Sequence, residues 1–375
     1  MPGRSIRIAR IAGIPVGISP LWLVIVALIT WSLGSGYYPD QVHGISRLAS
    51  YALGLASALL LFASILAHEF GHAVVARRRG VGIEEIDLWL LGGVARMTSQ
   101  PKSAEDELSF ALAGPAVTAV VAAAFGALTL LLGRAETTAM GALVRYQAEI
   151  NLLILGFNLL PAFPLDGGRV ARALMWRRSG DLSAATETAA ALGRGLGYLL
   201  VGLGVLTAFN GAPGGLWFAV IGFFLIAAAG AERVHAQVTT MFSGVPVGSL
   251  MSTPASLIPS RSTLDEAAGR FAEARFTAFP VTDSAGRAVG MLRIDQLERL
   301  PLPRRGGLTV ADVMNRDPKL RVTAQTDVSE LLDQPEFVEF GRAVVIDASG
   351  HPLGVISRTD IDRTVRARNL YQRTA

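Results

Sequence analysis

The chain has no cysteine, which excludes disulfides, thiolate metal ligands and thiol catalysis together. Lysine is almost missing as well: Lys102 and Lys319 are the only two, and every other basic residue that is not histidine is arginine. Charged residues make up 17% of the 375, with a net charge of +4. The arginines sit at segment ends and form no stripe interleaved with aromatics, so no nucleic-acid partner is expected. Apolar residues take the remaining space. They make up 51% of the chain, and several uninterrupted runs are long enough to cross hydrocarbon. A length of 375 residues with this composition points to a membrane part joined to a soluble part.

Histidine is scarce, five in all, yet two fall within one short stretch, Ala67-His68-Glu69-Phe70-Gly71-His72-Ala73. The pattern is H-E-x-x-H. An α-helix advances about 100° per residue, so His68 and His72 project from one face, one turn apart, and can share a metal ion. Zn²⁺ suits two imidazoles and a carboxylate with a fourth position open. Glu69 stands beside them as a base for water at that ion. The run before the motif, LGLASALLLFASIL, carries no charge, so this helix lies in a membrane. Two histidines could serve only to pack a bundle, but an acidic group at mid-membrane costs roughly 2.5–3.5 kcal/mol and marks function by default.

Read in order, the chain predicts six transmembrane helices: 18–34, the metal helix at 49–76, then 108–132, 140–160, 189–209 and 214–230. With six spans, the N-terminal arginines, Arg77 to Arg79, the arginines at 169–178 and Arg233 all fall on one side. By the positive-inside rule both termini are cytoplasmic. His72 then lies roughly 7.5 Å of helix from Arg77, inside the membrane near its cytoplasmic face. The segment 35–48 reads as a polar loop. Between the second and third spans, Ile86, Leu88 and Leu90 alternate with Asp87, Trp89 and Leu91, and Gly92-Gly93 follows. That pattern predicts a small membrane-associated β-hairpin, whose edge could receive an extended peptide as an added strand. Gly114-Pro115 in the third span reads as a helix-packing feature.

The second constellation is Asn158-Leu159-Leu160-Pro161-Ala162-Phe163-Pro164-Leu165-Asp166-Gly167-Gly168. Two prolines break the fourth span near its cytoplasmic end. Asp166 is presented from the resulting turn at the membrane level of His72, where it supplies a third ligand. Asn158 could donate an amide N–H to a developing oxyanion.

These residues resemble the site-2 protease family of intramembrane zinc metalloproteases over roughly residues 10–230. HEFGH matches its H-E-x-x-H, and NLLPAFPLDGG matches its N-x-x-P-x-x-P-x-D-G. Gly92-Gly93 looks like the glycine pair of its membrane-dipping loop, and Gly114-Pro115 like its third-helix pair. The resemblance implies His68, His72 and Asp166 as zinc ligands, Glu69 as the base, Asn158 as a substrate or transition-state contact, and Gly92 and Gly93 at the substrate. Thr118 departs from the pattern, since many members carry Asn shortly after the Gly-Pro pair.

From about Val245 the composition becomes that of a soluble domain. Val247-Gly248-Ser249-Leu250-Met251 begins a stretch echoed from Val310-Ala311-Asp312-Val313-Met314 onward, each ending on a Gly-apolar-apolar strand at Gly290 or Gly354. A near-fixed period of this kind marks a repeat. The units resemble a tandem pair of cystathionine-β-synthase-type (CBS) domains. Such pairs often bind adenine nucleotides through G-h-h-[ST]-x-x-D. The second unit matches with Gly354, Ser357 and Asp360, while Arg293 and Gln296 break the pattern in the first, so at most one complete site is implied.

The domains expected are a membrane metalloprotease at 1–235, a linker at 236–246, and CBS units at 247–300 and 307–370. The fold class is an α-helical membrane domain with a β-hairpin, followed by an α/β cytosolic pair. The function expected is zinc-dependent cleavage of the transmembrane segment of single-span proteins in the plasma membrane. A CBS-bound adenine nucleotide regulates it and the CBS pair dimerises. The alternative is a CBS-regulated ion transporter or channel that uses the same histidines and carboxylates.

Overall fold

The computed structural model describes residues 6–372 apart from 90, 91, 98–100, 102, 133–137, 212, 213, 275, 302–304 and 306. Leu90 and Leu91, the last members of the alternation noted above, lie outside the described residues. The chain divides into two compact units, 1–236 and 237–375.

The first unit opens on two strands, β1 (Ile6–Ile11) and β2 (Ile14–Ile18), before the first helix, α1 (Pro20–Ser32). Sequence reading had put no strands here. The signal is weak, because β1 is exposed along its whole length and the short β2 does not alternate strictly in burial. A π turn at Leu33–Tyr37 carries α1 directly into α2 (Tyr38–Gln41). The segment read as a loop therefore starts out helical, and Tyr38 is fully buried against Ser57.

The long helix α3 (Arg47–Arg78) follows, with Ser46 as its N-cap accepting from Ala49 N and arginines in its last turn. Both ends suit the helix dipole and its unpaired backbone groups. Its buried residues include Ser50, Gly54, Ser57, Leu61, Ser64, His68, His72 and Ala76, an inner stripe of mostly small and polar side chains at three- or four-residue spacing. Small residues let neighbouring helices come close where lipid gives no hydrophobic drive.

After α3 come β3 (Ile83–Trp89) and β4 (Gly92–Met97), which pair antiparallel. β3 also pairs in parallel with β2, with Val16 opposite Ile86. The result is a four-stranded sheet in the order β1-β2-β3-β4. Ile14 and Ile86 lie against Ala73, with Leu66 and Phe70 beside them, so the sheet rests on the metal helix at the level of its motif.

Five further helices complete the unit: α4 (Ala104–Leu132), α5 (Ala139–Asn158), α6 (Asp166–Ser179), α7 (Leu182–Phe209) and α8 (Gly215–Met241). Five of the described stretches are long and apolar enough to cross a membrane: 20–41, α3, α4, α7 and α8. α5 carries Arg145, Gln147, Glu149 and Asn151 and falls outside that set. Leu130 and Phe209 are 82% and 87% exposed, an arrangement that suits lipid and not water. Gly180, at φ +71°, ends α6 in the left-handed conformation.

The second unit holds two three-stranded sheets of the same design. β5 (Ile258–Pro259) runs parallel to β6 (Ala278–Thr282), which pairs antiparallel with β7 (Ala288–Arg293). β8 (Arg321–Thr323), β9 (Arg342–Ile346) and β10 (Pro352–Ser357) repeat this. The hairpin turns repeat too. Asp283 accepts from the backbone N–H of Arg287 and Ala285, and Asp347 from that of His351 and Ser349. These backbone donors hold both carboxyls below the usual carboxylate range. The opening segments are exchanged between repeats. Val247 is buried in the core of the second repeat with Val328 and Ile356, while Val310 is buried with Ile258 and Leu292 of the first. Each core is therefore completed by the other repeat.

Candidate metal centre

His68 and His72 both point from α3 towards α4. Their Nε2 atoms are 3.2 Å apart. Asp166 is the first residue of α6, and its Oδ2 lies 3.0 Å from His68 Nε2 and 3.3 Å from His72 Nε2. All three groups are buried or nearly so. Donors around a tetrahedral zinc ion with bonds of ~2.05 Å stand about 3.3 Å apart, close to this triangle. Asp166 Oδ2 has no hydrogen-bond donor among the described residues, as expected of an oxygen kept for a cation.

Phe110, Gly114 and Thr118 lie one turn apart on α4, opposite the two histidines. His72 Nδ1 donates to the Phe110 carbonyl at 2.8 Å. That oxygen can only accept, so Nδ1 carries the proton and the Nε2 lone pair is free for a metal. His68 Nδ1 meets Thr118 Oγ1 at 2.8 Å, and the hydroxyl accepts when Nε2 serves as a ligand. Between these anchors, Gly114 leaves a space. A Cβ there would stand 2.3 Å from His72 Nε2 and 2.6 Å from His68 Nε2, in the region a bound ion needs. The donor set and this cradle fit zinc.

Asp166 is delivered by the broken helix. α5 stops at Asn158 and α6 starts at Asp166. The turn between them closes on itself through Leu165 N to the Ala162 carbonyl at 3.0 Å. Gly167 and Gly168 let that turn lie flat on the first turn of α6, since a Cβ at either would come within 2.5 Å of the 159–163 backbone.

Glu69 is not part of the donor triangle. It faces the sheet, where a Cβ on Gly93 would fall 2.4 Å from Glu69 Cγ. Gly93 therefore makes room for this carboxylate. Gly92 opens β4 at φ +144° with nothing close. Asn158 is partly buried at the end of α5. Sequence reading missed the anchoring role of Thr118 and took Gly114 only as packing. Their spacing, each one turn from the next and facing H-E-x-x-H, was the available signal. Thr118→Val is expected to weaken zinc binding about 10–100-fold, the usual loss when a ligand histidine loses its outer partner. Competition with a chelator of known affinity measures it.

In the second unit, Ser357 N and Oγ donate to Asp360 Oδ2 at 2.9 and 2.5 Å, and Ser252 Oγ donates to Oδ1 at 3.2 Å. Ser357 and Asp360 thus cap the helix Arg358–Gln372. Gly354 packs on the Ser252 carbonyl, where a Cβ would come to 2.7 Å. Arg293 and Gln296 form the matching cap in the first repeat. Arg342 lies near Asp360 and Arg293; burial lowers its pKa, with Asp360 opposing and Arg293 adding to the effect.

The pattern of peptidase family M50 matches residues 56–135 and 132–202, and that of the CBS domain matches 247–300 and 310–367. The chain is 36% identical to the protein named "Putative zinc metalloprotease Rip3" of Mycobacterium tuberculosis, over 98% of this chain and 94% of that one. It is 28% identical to a zinc metalloprotease of Methanocaldococcus jannaschii, over 96% of each. Among solved structures, the site-2 protease of that archaeon is 27% identical, over 61% of this chain and 95% of its own, at a TM-score of 0.41. With its apolar helices and its buried His/His/Asp cluster, the chain belongs to peptidase family M50, the multi-pass membrane zinc metalloproteases of site-2 protease type, and carries a tandem CBS pair.

Proposed function

We propose that the first unit is an endopeptidase that cuts within the transmembrane segment of single-span membrane proteins. The observation that carries this reading is the meeting of His68, His72 and Asp166 donor atoms within 4.8 Å. A zinc ion held there supplies polarisation of the scissile carbonyl and a water with a pKa lowered towards ~7. Glu69 takes the proton of the attacking water and passes it to the leaving amine. Asn158 donates its amide N–H to the carbonyl oxygen as that oxygen becomes negative. A helical substrate hides its carbonyls in i→i−4 bonds, so the scissile stretch must first unwind. Strand β4, beside Glu69 and at the edge of its sheet, gives the unwound chain a partner, and Gly92 and Gly93 keep that approach clear of side chains.

The topology that suits this chemistry has α5 as a sixth span and both termini in the cytoplasm, in the plasma membrane. The CBS pair binds an adenine nucleotide at Gly354, Ser357 and Asp360 and biases access to the site. It also offers a surface for a homodimer. The nucleotide reading rests on the match of Gly354, Ser357 and Asp360 to G-h-h-[ST]-x-x-D.

The test uses purified full-length protein in vesicles with a single-span test substrate. Protein stripped by a chelator is expected to leave the substrate whole, and added zinc to restore cleavage, with product masses placing the cut inside the span. Cleavage that survives complete zinc removal, or cuts confined to the soluble part, would overturn the reading. A transporter would give no products in either state.

A further inference from the structure

We propose that Arg172 is a positioning residue for Asp166, acting through Phe163. Arg172 is 4% exposed in the first unit and Glu107 1%. Arg172 Nε donates to Glu107 Oε1 at 2.6 Å, and Nη2 donates to the same oxygen. Nη1 donates to Glu232 Oε1 of α8 at 3.0 Å. One guanidinium thus ties α4, α6 and α8. Replacing a buried ion pair by packed apolar side chains is often neutral or stabilising, so stability alone does not account for three charges here. What the cluster does is fix geometry.

Arg172 lies six residues beyond Asp166 on α6, about 9 Å along the axis and on another face, so it does not reach the metal. Its guanidinium carbon instead covers the Phe163 ring at 4.8 Å. Phe163 is 2% exposed, set among Ala189, Ala190 and Ala229. Its N–H donates to the Ala189 carbonyl at 3.4 Å, and Gly193 admits its backbone where a Cβ would come to 2.1 Å. The ring is therefore pinned on one side by α7 and α8 and on the other by Arg172. Three residues later the same turn delivers Asp166. Glu107, which holds Arg172, lies on the same helix as Phe110, Gly114 and Thr118, the residues that orient and clear space for the imidazoles. The ion cluster sets the distance between the helix that aligns the histidines and the turn that brings the carboxylate.

This inference rests on the three-residue zinc site, and the measurements keep the two apart. Zinc affinity is measured by chelator competition on the full-length protein, alongside thermal unfolding and cleavage kinetics. Wild type without zinc would sink the site itself. Phe163→Leu removes the ring face and leaves the charges in place. Arg172→Met leaves a buried carboxylate unpaired and risks misfolding, so it is paired with Glu107→Met, which restores an apolar contact. Both Phe163→Leu and the double variant are expected to unfold near the wild-type temperature. Their zinc Kd is expected to rise about tenfold, with kcat at saturating zinc reduced and KM unchanged. Glu232→Gln, on the more exposed arm, serves if either fails to fold. A zinc Kd within about threefold of wild type in the folded variants overturns the proposal, and any larger rise at unchanged stability supports it.

Discussion

Glu69→Gln is expected to leave zinc bound and to lower the cleavage rate about 10²–10⁴-fold, the contribution of a positioned general base. Glutamine keeps the size of the side chain that fills the space over Gly93. It removes only the ability to accept a proton. The donors of the metal triangle come from His68, His72 and Asp166, and the outer contacts of the two imidazoles run to Thr118 and Phe110. Residue 69 supplies none of these donors or outer contacts, so affinity for the ion should hold while the chemistry fails. The measurement is paired: metal content by elemental analysis and single-turnover cleavage of a membrane-spanning substrate on the same sample. Loss of zinc together with activity would make Glu69 a ligand. A rate near wild type would place the base elsewhere.

The cluster of His68, His72 and Asp166 was the most legible part of this molecule, because its chemistry is tied to spacing. Helical periodicity alone puts His68 and His72 on one face, and the Pro-rich break before Asp166 announces a side chain presented from an interrupted span. The groups that hold those side chains were hidden for the opposite reason. Thr118 and Phe110 are ordinary helix residues until α4 is laid antiparallel to α3, and nothing local distinguishes Gly114 from a packing glycine. Arg172 looked like one of several cytoplasmic arginines, and its burial by Glu107, 65 residues away, follows only from tertiary structure. The strand β1 escaped notice because an exposed edge strand has no buried face to alternate against. In the second unit the repeat was visible by its period, yet the exchange of Val247 and Val310 between cores was not. Periodicity reports similarity between segments and not which copy a segment packs against.

Gly114→Ala is expected to abolish stoichiometric zinc binding, and with it all cleavage, while the helix stays formed. The added methyl carbon would stand 2.3 Å from His72 Nε2, 2.6 Å from His68 Nε2 and 2.7 Å from His72 Cε1. Zinc–imidazole bonds are about 2.0–2.1 Å, so carbon and metal would compete for the same volume. The rings have little freedom to yield. Each is held at Nδ1 by α4 itself, one turn before Gly114 through Phe110 and one turn after through Thr118. Turning a ring away from the methyl group breaks that bond, and keeping the bond keeps the clash. Alanine is favoured over glycine within a helix by roughly 0.5–1 kcal/mol, so loss of metal should not be a consequence of an unfolded α4. Gly126→Ala on the same helix is the control, because a Cβ there meets nothing within 4 Å, and it should bind zinc as wild type does. The same chelator competition and a circular-dichroism melt decide between the outcomes. If Gly114→Ala held one ion per chain at wild-type affinity, the ion would have to lie away from the point where the two imidazoles and Asp166 converge.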